Sequence, residues 1–529
     1  MARKSKVQSP RSKTSPKPKV QTTELLLGLD VGTTGLKALL VDRTGRVVSE
    51  ALSEYPMSSP QPLWAEQNPE NWWQATVKSI KQALGKANHS RVAAIGLTGQ
   101  MHGLVLLDDK GSVIRPCIMW NDQRSVPQCA AVTEQVGAKR ILDLTGNPLL
   151  PGFLAPKIAW VRENEPDVFR RIDKVLLPKD YIRYRLTREF QSDVSDASGT
   201  SLFDVSRRCW SEPMLQVFKV RRSWLPQVLE SPVPGSQVSQ DAARVTGLRT
   251  AAMVVAGAGD QAAGAVGVGA VAEGIISVVI GTSGVVFAPL ARYQREADGR
   301  LHAFCRAAPD LWHVMGVMLA AGGSLRWFRD TIWKTRYDVM TREAAEVPGG
   351  SNGLLFLPYL SGERTPYPDP NARGVFFGLN LKHTRASMAR AVMEGVSFGL
   401  RDSLELILSL GVPVRQIRLT GGGARSPLWQ QMLADVFEQP VHVPEMGTSL
   451  ARGVPISEGA AFGAALLAGV GAGVFTSVKD ACNKTIRVRL AATPGENAEV
   501  YQRFYPRYRA LYAALKGEFA KLAETTNHG

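Results

Sequence analysis

Two apolar runs near the start of the chain, Leu25–Val31 and Gly35–Val41, are separated only by Gly32-Thr33-Thr34. Short strand-like runs around a glycine-bearing turn predict a β-hairpin. The pattern returns in the second half as Ile275–Ile280, the turn Gly281-Thr282-Ser283, and Gly284–Phe287. Between these landmarks the spacing of apolar residues switches repeatedly between strand and helix. A tryptophan-bearing helix is predicted around Asn71–Leu84, strands at Val92–Leu97 and Ala252–Ala256, and helices with loops over 140–230. After the second hairpin come a helix from Ala320, a proline-rich loop over 361–370 and a helix over Ser387–Leu410. A strand at Ile417–Leu419, the loop Gly421–Ser426 and a small-residue helix over Ser457–Ala468 follow. A last helix carries Tyr501, Phe504, Tyr508, Tyr512 and Phe519, spaced to pack back on the body. Strands alternating with helices, restarted once, predict two related α/β halves.

A turn glycine lets the backbone bend toward a ligand, and successive N–H groups with threonine hydroxyls form a concave donor surface suited to phosphate oxygens. Each turn has an aspartate on its N-terminal side, Asp30 and Asp260. One such hairpin reads as an exposed turn; its duplication, with a carboxylate each time, points to phosphate handling by two halves. Polar groups also follow strand ends at Thr98-Gly99-Gln100-Met101-His102-Gly103 and Gly257-Ala258-Gly259-Asp260-Gln261, where ligands bind in open α/β sheets. Phosphoryl transfer needs held phosphates, a divalent metal and a base aligned with the attacking hydroxyl. Asp260 suits the base, and Asp30 suits Mg²⁺ held through water, since that ion keeps much of its hydration shell. Each feature alone also has a plainer reading: Asp260 as a turn or helix cap, His102 as a structural histidine, Gly421-Gly422-Gly423 as a strand-to-helix turn.

With 44% apolar and 21% charged residues over 529 positions, the composition is that of a multidomain globular protein. Five scattered cysteines without a C-x-x-C pair argue for a reducing compartment and against a zinc site or disulfide scaffold. The formal charge of +16 suggests a nucleic-acid partner until it is located. Arg3, Lys4, Lys6, Arg11, Lys13, Lys17 and Lys19 crowd the first 23 positions with no acid among them, and setting them aside leaves +9. That Ser/Pro-rich tail lacks the apolar stretch of a signal peptide. It reads as a solvated extension, with a weak polyanion or targeting role as the alternative. The uncharged stretch Gly274–Ala291 is broken by glycines and Pro289, which argues against a membrane span. No G-x-x-x-x-G-K-[ST] loop and no H-E-x-x-H occur, excluding a P-loop enzyme and a zincin.

The motifs, taken in order, are Leu29-Asp30-Val31-Gly32-Thr33-Thr34, Trp64-Ala65-Glu66-Gln67-Asn68-Pro69, Thr98–Gly103, Trp120-Asn121-Asp122-Gln123-Arg124 and Leu177-Pro178-Lys179-Asp180-Tyr181. Later come Gly257–Asp260, Tyr359-Leu360-Ser361-Gly362-Glu363-Arg364-Thr365-Pro366 and Leu419-Thr420-Gly421-Gly422-Gly423-Ala424. Together they resemble the FGGY carbohydrate kinases, most closely the xylulokinases among them, over residues 25–515. The resemblance implies an α/β protein of two actin-like (ribonuclease H-like) domains around a central cleft. Residues 24–270 would hold sugar and the first phosphate hairpin, and 271–515 would hold ATP. A basic tail at 1–23 and a helix end at 516–529 flank them. It implies Asp260 as proton acceptor, Asp30 as the carboxylate on the Mg²⁺ side, and Met101, His102, Asp260 and Gln261 against the sugar. Thr33, Thr34, Gly281 and Thr282 would meet phosphates, and Gly322, Gly422, Gly423 and Ser426 the nucleotide. The implied activity is cytoplasmic, ATP-dependent phosphorylation of xylulose, with no nucleic-acid or membrane partner and with a homodimer compatible.

Three positions depart from the family pattern. Gln261 stands where xylulokinases usually carry asparagine and is similar to glycerol kinases. Leu154 replaces a small hydroxyl residue. Ser387 replaces a histidine or acid and is expected to cap its helix. Gln261 therefore keeps glycerol, ribulose or another polyol open as acceptor, against which stands Met101-His102 in place of the arginine–glutamate pair of glycerol kinases. An actin- or chaperone-like ATPase module is the alternative from another class.

Overall fold

The computed structural model describes residues 24–85, 92–445 and 459–527. The basic tail and the first two positions of the helix expected from Ser457 lie outside them. The first half supplies strands β1 (Leu25–Val31), β2 (Gly35–Asp42), β3 (Val47–Glu54), β4 (Val92–Gly99), β5 (Pro234–Gln237), β6 (Met253–Val255) and β7 (Ala258–Gly259). They form one sheet in the order β5-β6-β4-β1-β2-β3, with β7 also paired to β4. The second half supplies β8 (Ile275–Ile280), β9 (Gly284–Leu290), β10 (His302–Cys305), β11 (Trp312–Met318), β12 (Gln416–Thr420), β13 (Val441–Glu445) and β14 (Arg487–Ala492). Their order is β10-β11-β9-β8-β12-β13-β14.

The two sheets share one plan. In the first, β1-β2-β3 run antiparallel, β4 lies parallel to β1, β6 parallel to β4, and β5 closes antiparallel. In the second, β8-β9-β11 run antiparallel, β12 lies parallel to β8, β13 parallel to β12, and β14 closes antiparallel. The repeated hairpin of the sequence is thus the seed of a repeated domain.

The helices that position the site are α1 (Pro69–Leu84), α2 (Leu154–Asn164), α3 (Pro178–Thr187), α4 (Val194–Ala197), α5 (Asp260–Gly267), α6 (Gly322–Trp327), α7 (Arg385–Ser409), α8 (Pro427–Phe437), α9 (Gly459–Gly471) and α10 (Asn497–Asn527). A strand covered on both faces reads as a continuous apolar run, which is what β1 is. Leu25, Leu27, Leu29 and Val31 share a core with Trp72, Ile80 and Leu84 of α1. Leu26, on the opposite face, packs with Ala461, Ala465 and Leu466 of α9. Gly28 lies on that second face, and a Cβ there would stand 1.9 Å from the Ala461 carbonyl oxygen. Gly96 of β4 meets the Ala464 carbonyl equally closely.

Helix α9 comes from the second half yet covers the first sheet. Conversely α5, near the end of the first half, sets Ala265, with Val268 just past its last residue, against Val285 and Phe287 of β9. The two helices cross at backbone contact: a Cβ on Gly267 would fall 1.8 Å from the Gly459 carbonyl, and one on Gly463 1.9 Å from that of Ala263. Small residues are what allow that seam.

The helix expected from Ser387 starts two residues earlier, and its N-cap is Thr384. The Thr384 hydroxyl accepts from the Ser387 N–H at 3.3 Å, and the Ser387 hydroxyl accepts from the Thr384 N–H at 3.4 Å. This reciprocal capping box puts Ser387 at the third helical position and corrects its assignment as the cap. At the C-terminus, Tyr501, Tyr508, Tyr512 and Phe519 are buried and Phe504 packs beside them, as the spacing predicted. Helix α10 continues unbroken through position 515.

Candidate active site

The first glycine–threonine turn is held by three of the sequence motifs. Trp120 Nε1 donates to Thr33 Oγ1 at 3.1 Å, and Gln67 Nε2 donates to the Thr33 carbonyl at 2.7 Å. Gln67 Oε1 in turn accepts from Gln100 Nε2 and Trp72 Nε1. Thr33 and Thr34 keep partial or full exposure. Asp30 pairs with Thr98 across β1 and β4, and Gly259 of β7 pairs with Gly99 on the other edge of β4. Asp30 and Asp260 therefore stand at the carboxyl ends of strands one apart, about 10 Å between their backbones at ordinary strand spacing.

Asp260 is the first residue of α5, and Gly259 is its N-cap, so the aspartate is not the cap that a turn reading would make it. Burial lifts its carboxyl to about 6, against the lowering pull of hydrogen bonds from the backbone and side chain of Gln261. Just before it, Gly259 is packed by Met101: a Cβ on Gly259 would lie 2.8 Å from the sulfur. The Gly259 N–H donates to Ser195 Oγ at 3.1 Å, and Ser195 Oγ donates to Asp193 Oδ2 at 2.5 Å. Asp193 also accepts from Ser231, and its other oxygen faces Lys179 Nζ at 2.9 Å. Lys179 is fully buried with Asp180, Asp193 and Asp196, and these carboxylates hold it charged although burial opposes that. Asp196, wholly buried, is pushed well up by desolvation.

His102 follows Met101 in a left-handed turn, φ 70°. Its ring stacks on Phe153 at 4.5 Å and 16°, and Nδ1 lies 2.8 Å from the Gly199 carbonyl. A carbonyl only accepts, so Nδ1 carries the proton; burial drives the ring's pKa down to about 3, so it is neutral. Nε2 is then an acceptor, and no hydrogen bond to it occurs among the described residues. The His102 carbonyl is fixed by Lys157 Nζ at 2.9 Å, which also reaches the Gly152 carbonyl at 2.8 Å. Burial brings that lysine down to about 7.

A cavity of about 780 Å³ opens in the second half, within the range of small-molecule sites. Gly281, Thr282, Gly322, Gly422, Gly423 and Ser426 all line it, while Thr33 and Thr34 do not. Gly421, at φ 85°, would bring a Cβ within 2.5 Å of the Ile280 carbonyl, so the loop lies flat on the end of β8. Gly422 faces open space. At the other wall Gly322 N–H donates to the Gly281 carbonyl at 2.8 Å and Gly323 N–H to that of Thr282 at 3.0 Å. These bonds tie the second turn to the start of α6. Ser426 caps α8 through Trp429 N–H.

The FGGY carbohydrate-kinase N-terminal domain matches residues 25–267, and the FGGY C-terminal domain matches residues 276–472. The chain belongs to the FGGY family of carbohydrate kinases. It is 40% identical to a xylulose kinase of Escherichia coli K12 over 494 residues, 93% of this chain and 99% of that protein. A crystal structure of xylulose kinase from Rhodospirillum rubrum is 31% identical and superposes with a TM-score of 0.85, covering 94% of this chain and 100% of that one. The ligand-bound xylulose kinase of Lactobacillus acidophilus is 26% identical at TM-score 0.88, covering 94% and 100%. The fold is therefore the actin-like one of the FGGY sugar kinases.

Within this FGGY kinase, several residues at the site escaped sequence reading. Arg326, Tyr337, Asp338 and Arg342 line the cavity; the last three sit on the short polar helix Tyr337–Ala345, which carries no motif. Lys157 and Ser195 act through hydrogen bonds to backbone far away in the chain, which no local pattern announces.

Proposed function

We propose that this chain is an ATP-dependent xylulose kinase. Asp260 takes the proton of the terminal hydroxyl of D-xylulose as that oxygen attacks the γ-phosphorus of ATP, releasing D-xylulose 5-phosphate and ADP. The observation that carries the reading is the convergence of a desolvated carboxylate, Asp260, with Met101 and the acceptor face of neutral His102 at the ends of β4 and β7. A base poised near neutral pH is what proton abstraction from an alcohol asks for. The cavity between the second turn, the Gly421–Gly423 loop and α6 suits ATP, and Gly281 and Thr282 would receive its phosphates with Thr33 and Thr34 opposite.

Asp30 suits Mg²⁺: it is half-buried at a strand end, and no cluster of three metal-ligating side chains surrounds it among the described residues. An ion that keeps most of its waters takes few protein carboxylates, and one at this strand end suffices. The metal would spread charge on the transferred phosphoryl group. Residues 24–270 and 271–515 would act as the two lobes, closing to keep water from the phosphoryl group. The five cysteines are free thiols, four of them buried, and no described helix is long and apolar enough to cross a membrane; both support a cytoplasmic enzyme. A homodimer belongs to the reading and is checked by sedimentation.

A coupled ADP-release assay over D-xylulose, D-ribulose and glycerol tests the acceptor. D-xylulose is expected to give the highest kcat/KM. Faster turnover of either other compound overturns the acceptor, and ATP hydrolysis indifferent to all three overturns the kinase.

A further inference from the structure

Arg364 lies in the loop between Tyr359 and Pro370 of the second half, yet its guanidinium reaches the first. A Cβ built on Gly152 would stand 3.7 Å from Arg364 Nη2. Gly152 precedes Phe153, the ring stacked on His102, and its carbonyl is held by the same lysine that holds the His102 carbonyl. Phe153 also meets His302 and Phe304 of β10, at 5.6 and 6.1 Å between centroids. Arg364 thus stands where the two halves face each other beside His102.

The backbone N–H of Arg364 donates to Glu363 Oε1 at 2.8 Å, an oxygen that also accepts from Leu319 N–H. Its guanidinium makes no hydrogen bond and no ion pair among the described residues, although the residue is largely covered. Two buried arginines of the first half are instead fully paired: Arg124 bonds Asp122 and Glu66, and Arg115 bonds Glu66 and Glu165. None of the Arg364 nitrogens is among the buried polar atoms left without a partner, so the unpaired fork keeps access to solvent and to a solvent-borne ligand. Its five N–H donors cannot accept and keep a fixed fork, so they are satisfied only by oxygens brought to them.

We propose that Arg364 is a specificity-determining contact for the sugar, donating its fork to the carbonyl end of a ketose while His102 Nε2 accepts from a hydroxyl and Asp260 faces the hydroxyl to be phosphorylated. The three groups are complementary in kind. A guanidinium bonds hydroxyl oxygens as well, but a ketose carbonyl offers both lone pairs in one plane to the fork, whereas a hydroxyl in the same place must turn its proton away. The fork therefore favours the ketose, and because it comes from the second lobe it does so only when the lobes are together. The positive charge of Arg364 also helps keep His102 neutral. This inference rests on the ketose-kinase reading above.

The test compares wild type with Arg364→Met, which keeps the length of the stem, and Arg364→Lys, which keeps the charge and loses the fork. Apparent KM for D-xylulose, apparent KM for ATP, and the ratio of kcat/KM for D-xylulose over xylitol are measured. Sugar-induced thermal shift without nucleotide serves as a readout independent of turnover. Loss of a charge-assisted hydrogen-bond pair corresponds to roughly ten- to hundredfold in affinity. Arg364→Met is expected to raise the sugar KM by about that factor, leave the ATP KM within about twofold, lower the ketose-to-polyol ratio, and shrink the sugar-induced shift. Arg364→Lys should retain part of the affinity and also lower the ratio. An unchanged sugar KM in a folded Arg364→Met protein overturns the contact. Sugar and ATP constants rising together, with the ratio intact, overturn it in favour of a strut between lobes. Wild type that turns over no ketose instead sinks the underlying reading, an outcome distinct from a ketose kinase indifferent to position 364.

Discussion

Asp260 is where the chemistry narrows to one atom group, and its surroundings set its pH behaviour. A base must be ionised to accept a proton, and burial lifts this carboxyl to about 6. With D-xylulose, kcat/KM is therefore expected to be flat above about pH 7 and to fall about tenfold per unit below about pH 6; a pH–rate profile whose acid limb sits near 4 would remove Asp260 from the role. Asp260→Asn should lower sugar-dependent ADP release by roughly 10²–10⁴-fold while nucleotide binding persists. The sign of the linkage helps here. A carboxyl raised in the folded state opposes folding once pH passes from the unfolded value up through about 6. Asp260→Asn should then melt no lower than wild type at pH 7.5, and a collapse in melting temperature would mean that lost activity reports unfolding. His102 titrates far below neutrality, so its contribution is hydrogen bonding rather than charge. His102→Ala is expected to raise the sugar KM with little change for ATP, which initial-rate kinetics with each substrate varied will check.

Elements are joined in this kinase at points where a side chain has no room. Gly28 of β1 and Gly96 of β4 accept the backbone of α9, and a methyl group at 28 would meet a carbonyl oxygen at 1.9 Å. Backbone cannot yield as a flexible side chain does, so Gly28→Ala should cost about 3 kcal/mol or more, at the upper end for overpacked cores. Denaturant unfolding measures this, and a loss below about 0.5 kcal/mol, typical of a neutral surface change, would show that α9 can stand off. The short helix α4 works through hydrogen bonds instead. Its Ser195 hydroxyl joins the Gly259 N–H to Asp193 and the buried Lys179. Ser195→Ala leaves a buried N–H unpaired, worth about 1–3 kcal/mol, directly ahead of the base. The expected result is a lower kcat with an unaltered ATP KM, partly rescued by Ser195→Thr. Equal loss of folded fraction and kcat would reduce the serine to a structural bond.

For the whole molecule, duplication and exchange matter together. The two sheets repeat one strand plan, and each half lends a helix to the other at the seam of α5 and α9. Small-residue crossings let two lobes approach without a thick side-chain layer. Closure on binding is expected to lower the radius of gyration in solution scattering when sugar and a non-hydrolysable ATP analogue are both present, more than with either alone. Charge is distributed unevenly over the chain, +16 in all and +9 once the seven basic residues of the tail are set aside. Removing residues 2–23 should weaken retention on an anionic column and leave kcat and both KM values within about twofold, since such a charge excess acts on non-specific association rather than on the cleft.

Local patterns determined what they physically can. Apolar runs around Gly32-Thr33-Thr34 and Gly281-Thr282-Ser283 fold as hairpins because a strand's preferences act over a few neighbouring residues, and so both halves, the strand-end aspartates and the order of motifs were legible in the sequence. Thr384 rather than Ser387 caps α7 because the choice rests on a reciprocal bond three residues apart, finer than periodicity resolves. Which helix covers which sheet was decided only in three dimensions: Gly28 and Ala461 are partners through a contact whose range along the chain no spacing encodes. The same holds for the cavity wall at Tyr337–Ala345, the Ser195 relay to Gly259, and the approach of Arg364 to Gly152. Each joins residues of different elements, and packing alone brings them within reach.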